Sequence, residues 1–106
     1  MTETAQDLVR KMPDAFDSEA AAGVNAVLSF ELSQPMHIVI NGGACTAFDG
    51  RADSPDVTLT MDDEDFIALM RGELNGMAAF MTGKLQLDGD LALANRLVKF
   101  FDGTKL

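Results

Sequence analysis

Few residues in this chain are of a type that does chemistry, and their settings argue against most of it. His37, the only histidine, falls on the polar set of an alternating stretch. Paired with an acid, such a side chain can act as a general base, but no G-x-S-x-G nucleophile motif accompanies it, so a surface histidine is expected. Cys45, the only cysteine, has no second histidine and no basic neighbour to stabilise a thiolate. Asp62, Asp63, Glu64 and Asp65 form an acidic run that invites a calcium reading. The run lacks the central glycine and distal bidentate glutamate of a calcium loop, whereas a helix start favours such charge through its dipole. Zinc-ligand spacing and a phosphate-binding loop are both missing. No catalytic residue, metal ligand or cofactor is therefore expected. Lys84, Arg96 and Lys99 can meet a carboxylate or phosphate at the mouth of a pocket, or simply solubilise the surface. Gln86 can bond a polar head group if it faces inward, but alternation points it to solvent.

Charge and composition narrow the partners. The net charge of −9 repels the phosphate backbone, so nucleic-acid binding is not expected, and no basic cluster offsets that charge at an anionic bilayer. No apolar run reaches the ~18 residues of a membrane span. The opening residues lack a basic region followed by a long apolar core, and a single cysteine excludes an internal disulfide, so a reducing, cytoplasmic setting is expected. The closing Thr104-Lys105-Leu106 approximates a peroxisomal address but has Thr where Ser or Ala is usual, and reads as a chance match. Hydrophobic residues make up 47% of the 106 residues, with seven Phe, seven Met and neither Trp nor Tyr. Methionine is adaptable, suiting either gap-filling in a core or a surface that repacks around varied shapes.

The elements that must position these side chains follow from periodicity. Glu3 to Met12 places Ala5, Leu8, Val9 and Met12 on one helical face, ended or kinked by Pro13. Phe16 follows as an anchor, and Ser18 to Ala22 reads as one helical turn stopped by Gly23. Val24 to Leu32 alternates as a half-buried strand, Met36 to Asn41 as a second, and Asn41-Gly42-Gly43 as a hairpin turn. Ala44 to Phe48 makes a third strand, Asp49 to Pro55 a polar loop, and Val57 to Met61 a fourth strand. An antiparallel meander with one buried face is expected from these four.

Asp62 then caps a helix that buries Phe66, Ile67, Leu69 and Met70 and ends at Gly72. Asn75 caps a short helix that is apolar nearly all round, with Met77, Phe80 and Met81 on one stripe, until Gly83 stops it. Lys84 to Asp88 is a fifth strand. After Gly89, Asp90 caps a last helix whose Leu91, Leu93, Ala94, Leu97, Val98, Phe100 and Phe101 form a wide apolar face. The whole is expected to be one α+β domain over residues 1–106, with helices on one face of the sheet. Two wide-faced helices offer more apolar surface than a thin core needs, and a cavity between the layers would use the surplus.

From Asp56 to Phe101 the chain resembles the C-terminal half of the type-2 sterol carrier protein family, also called non-specific lipid transfer proteins. The features that carry the resemblance are the strand leading into the acid-rich helix start, the glycine stop, AFMTGKLQLDGD at Ala79 to Asp90, and the Leu/Ala-rich last helix. EAAAGVNAVLSFEL at Glu19 to Leu32 agrees in pattern. The resemblance implies a five-stranded, mainly antiparallel sheet with helices on one face, enclosing a hydrophobic tunnel. It also implies binding of fatty acids, fatty acyl-CoA, phospholipids or sterols without covalent chemistry. Burying ten methylenes would supply about 8 kcal/mol before losses. Phe66, Met70, Met77, Phe80, Met81, Leu97, Phe100 and Phe101 are the candidate ligand-binding residues, with Lys84 at the mouth and Leu28, Phe30 and Ile40 on the sheet side. Two other classes stay open: a module that packs against a partner or its own copy as a homodimer, and an enzyme acting on an acyl or steroid substrate.

Overall fold

Apolar side chains recur at every second position in five short runs, and those runs become the strands of one sheet. A computed structural model describes residues 4–106, with the side chains of all of these except Leu97, Val98 and Thr104. The strands are β1 (Ala26–Glu31), β2 (Met36–Asn41), β3 (Ala44–Asp49), β4 (Val57–Met61) and β5 (Leu85–Gly89), in the spatial order β3-β2-β1-β4-β5. The helices are α1 (Ala5–Lys11), α2 (Asp63–Met70), α3 (Gly76–Met81) and α4 (Leu91–Leu97). This is the expected α+β arrangement of five strands with helices, and the sheet is open rather than closed into a barrel.

The meander expected for the first four strands holds only through β3. β4 does not pair with β3; it lies parallel to β1, with Leu28 opposite Val57 and Phe30 opposite Leu59. Alternation specifies which face a side chain takes, not which strand lies beside it. Between β3 and β4 the chain crosses the outer face of the sheet. There His37 Nδ1 lies 2.8 Å from the Gly50 carbonyl, Arg51 pairs with Glu31 at 2.7 Å, and the Asp56 N–H donates to the Val27 carbonyl at 2.8 Å.

The inner face presents Leu28 and Phe30 of β1, Ile38 and Ile40 of β2, and Val57 and Leu59 of β4, all buried. Over it lies α1, whose Ala5, Leu8 and Val9 are buried, as is the following Met12. Thr4 and Asp7 cap α1 reciprocally, satisfying two orphan N–H groups, and Pro13 falls in a short 3₁₀ turn that follows it. Glu3, the first residue of the expected helix, lies outside the described residues. Ser18 to Ala22 makes consecutive turns rather than a helix, and Gly23 ends them at φ 76°.

Phe66 of α2 packs on Phe30 with ring centroids 5.1 Å apart. Asp62 occupies the N-cap position of α2 but its side chain makes no cap bond. The neighbouring Asp63 reaches instead across to the β1–β2 turn, accepting the Ser33 N–H at 2.9 Å and the Ser33 hydroxyl. Partial burial would raise the Asp63 carboxyl, but those Ser33 donors, together with the Gln6 amide, hold it below its ordinary value. The last helix is also shorter than its apolar run: α4 ends at Leu97, and a 3₁₀ turn carries Phe100 into the core. Phe101 then packs on Phe16, with ring centroids 5.7 Å apart, where the two residues form an isolated antiparallel bridge.

Candidate functional site

Toward the β5 edge of the sheet the helical cover thins, because α3 is only six residues long and buries a single side chain, Ala79. Asn75 starts α3 by accepting the Ala78 N–H at 3.1 Å, and Gly83 ends it at φ 81°. Asp90 starts α4 in the same way, accepting the Leu93 N–H at 3.0 Å. Between these two helices, the end of α2 and the sheet lies an apolar cleft of about 270 Å³. Leu59, Leu85 and Leu87 form its floor, where Leu59 and Leu87 stand directly opposite each other in the antiparallel β4–β5 register. Leu69 and Met70 of α2, Gly76, Met77 and Phe80 of α3, and Leu91, Ala94 and Asn95 of α4 form the walls. Among the described residues no lining side chain is charged, and Asn95 supplies the one polar group.

The candidate ligand-binding residues divide on this geometry. Met70, Met77 and Phe80 stand on the cleft. Phe66, Phe100 and Phe101 are sealed in the core, as are Leu28, Phe30 and Ile40. Large aromatics fill the thick part of the protein, where two layers press together, and leave no space beside them. Met81 turns outward, at 78% exposure. Lys84 precedes β5 on a different, acid-rimmed concavity that it shares with Glu31, Asp62 and Thr82. The Leu97 side chain lies outside the described residues. Arg96 is exposed, its guanidinium carbon 5.4 Å from the centre of the Phe100 ring. Gln86 pairs with Thr60 on the outer face of the sheet.

Sequence reasoning passed over Leu59, Leu69, Gly76, Leu85, Leu87, Leu91, Ala94 and Asn95. Two signals were available for some of them. Leu85 and Leu87 are the inward set of the last strand, which lies at an edge and so lacks a neighbour on one side. Ala94 is a small residue inside a wide apolar face, where its size leaves space that a larger side chain would fill.

The groups that can do chemistry stand away from the cleft. His37 stacks on Phe48 across β2 and β3, with ring centroids 5.1 Å apart and planes at 17°, on the opposite face of the sheet. Cys45 is half-buried on β3, and burial raises its thiol to about 11. Its reactivity should fall accordingly. At pH 8 iodoacetamide should alkylate Cys45 roughly a hundredfold more slowly than a free thiol, with the rate rising as pH rises. Mass spectrometry over time reads this out, and a rate equal to that of glutathione would overturn it. Among the described residues, no group of three His, Cys, Asp or Glu could hold a metal ion, and no helix is long and apolar enough to cross a membrane.

Known proteins share this architecture. Hydroxysteroid dehydrogenase-like protein 2 of Rattus norvegicus is 32% identical over 100 residues, which cover 89% of this chain and 19% of that protein. The chain thus spans about a fifth of the length of that relative. The solution structure of palmitated SCP2L2 from Aedes aegypti matches with a TM-score of 0.67 and 26% identity, over 90% of this chain and 88% of that one. A sec-alkylsulfatase from Pseudomonas sp. carries the same fold within a longer chain, with a TM-score of 0.86 and 19% identity over 94% of this chain and 16% of that one. The family model described as the SCP-2 sterol transfer family matches residues 5–102. By that match, which takes in all five strands and the three helices that wall the cleft, the chain belongs to the SCP-2 sterol transfer family.

Proposed function

We propose that the chain is a non-catalytic lipid-binding domain that holds the apolar part of a fatty acid, acyl-CoA, phospholipid or sterol in the cleft between α3, α4 and β5. The observation that carries this reading is the lining itself: apolar side chains from two strands and three helices converge on one space, with Asn95 as the polar exception. Each methylene moved from water into such a space is worth ~0.8 kcal/mol, and no directional bond is needed. An ionised head group left inside would find no counter-charge and at most one amide, so it belongs at the open mouth in water. The volume of about 270 Å³ lies just below the ~300–1,000 Å³ usual for small-molecule sites. Part of a long chain therefore fits as the walls stand, and the methionines at the rim can repack to admit more.

Membership of the family and the likeness to a palmitated relative support the same reading. Because the chain spans about a fifth of its dehydrogenase-like relative, the domain also suits presentation of a bound lipid to a neighbouring catalytic unit. We place its work in the cytoplasm, in keeping with its single thiol. Native mass spectrometry of protein purified from cells tests the proposal, with organic extraction of what rides along and titration with a fluorescent fatty acid. One lipid per chain, or saturable uptake at that ratio, is the expected result. A clean apo mass with no uptake would overturn it and leave the packing module as the better account.

A further inference from the structure

Among the described residues, the exposed large apolar side chains, Phe48 apart, gather at one place. Met77 is 65% exposed, Phe80 48%, Met81 78% and Leu91 53%, all on α3 or the start of α4. Three of these, Met77, Phe80 and Leu91, also line the cleft, so the exposed patch and the cleft are one continuous apolar surface. From Leu74 to Gly83 there is no charged residue, on a chain with 17 acids and a net charge of −9. The chain's charges are acidic on balance, and the ten residues between Glu73 and Lys84 carry none. An uncharged helix rimmed by methionine and phenylalanine, set over an apolar opening, matches the headgroup boundary of an uncharged bilayer. A second copy of the chain fits less well. Four partly exposed side chains offer a few hundred Å², short of the ~800 Å² each partner gives to a stable interface.

We propose that α3 docks flat on a zwitterionic lipid surface, with Met77, Phe80 and Met81 entering the headgroup boundary and the cleft mouth facing the bilayer. A lipid then passes between membrane and cleft without its chain crossing water. This rests on the lipid-binding reading for its purpose, but the docking is measurable without any ligand.

Because the chain contains no Trp and no Tyr, an introduced indole reports alone. In Met81→Trp, phosphatidylcholine vesicles should shift the emission to the blue, and brominated phosphatidylcholine should quench it. In Phe48→Trp, on the opposite face of the sheet, neither should happen. Met81→Glu changes a side chain outside the cleft and should leave fluorescent fatty-acid affinity in solution unaltered. It should slow transfer of that fatty acid between phosphatidylcholine vesicles about tenfold, the factor expected when one large apolar anchor becomes a charge. Vesicles rich in phosphatidylserine should quench less, because the chain as a whole is repelled. Unquenched Met81→Trp with wild-type transfer by Met81→Glu would overturn the docking while leaving lipid binding intact. Loss of vesicle response together with a concentration-dependent mass that Met81→Glu abolishes would overturn it in favour of a second copy. Failure of the wild-type chain to take up fatty acid would sink the lipid-binding reading, and the bromolipid quenching would still decide the docking.

Discussion

Ala94→Phe should weaken fatty-acid binding by roughly two orders of magnitude and leave the protein at least as stable as before. Ala94 lies on α4 and is one of the smallest residues on the cleft wall. Ala94 is partly buried against the cleft, so a phenyl ring grown from it can turn into that apolar space, where it would take the place of about four methylenes of a bound chain. At ~0.8 kcal/mol each, that is about 3 kcal/mol of lost burial. The fold should tolerate the ring, because overpacking is costly where no space exists, and here the space is already open and apolar. Fluorescent fatty-acid titration and thermal unfolding, run together, separate the outcomes. Lost binding with an unchanged or raised Tm places the lipid beside Ala94. Unchanged binding in a stable variant would mean that the ligand sits elsewhere.

The contrast with Phe66 shows what the sequence could and could not reveal. Both residues belong to apolar stripes on helices, and periodicity alone marks both as facing inward. Only the structure distinguishes a stripe pressed between layers, as Phe66 is against Phe30, from one whose cover runs out at a sheet edge. Core and cleft are built from the same residue types by the same pattern, so nothing in the sequence separates Phe66, Phe100 and Phe101, which are buried, from Met70, Met77 and Phe80, which stand on the cleft. The strands and caps were far more legible, because alternation, Asn75, Asp90 and the glycine stops act within a few residues of chain. Pairing is a different matter. The parallel contact of β4 with β1 joins segments about 30 residues apart, and nothing local in Val57–Met61 says which strand it will meet. Lys84, expected at the mouth, stands on a separate concavity for a related reason: one residue before β5, its direction depends on how the chain leaves α3, which no alternation governs.

Gly89→Ala should be among the most damaging single-methyl changes available, costing about 3–5 kcal/mol of stability. Gly89 closes β5 at φ 106°, where an L side chain is strained. A Cβ there would also collide with the Asp56 carbonyl oxygen and lie 3.0 Å from the Val57 Cα, both backbone atoms with no rotamer to escape into. That carbonyl already accepts the Asp90 N–H at 2.9 Å, and Asp90 caps α4 through the Leu93 N–H at 3.0 Å. The methyl therefore pushes apart β4 and β5 at Val57 and Gly89, which are partners in the ladder, and displaces the start of α4 with them. For a domain of this size each kcal/mol is worth roughly 4–8 °C, so the melting temperature should fall by about 12–40 °C. Because β5 is the floor of the cleft and α4 its wall, lipid affinity should fall as well. A Gly89→Ala protein that melts within a few degrees of the parent would show that the strand end can rotate away from Asp56. The close approach would then be no requirement of the fold.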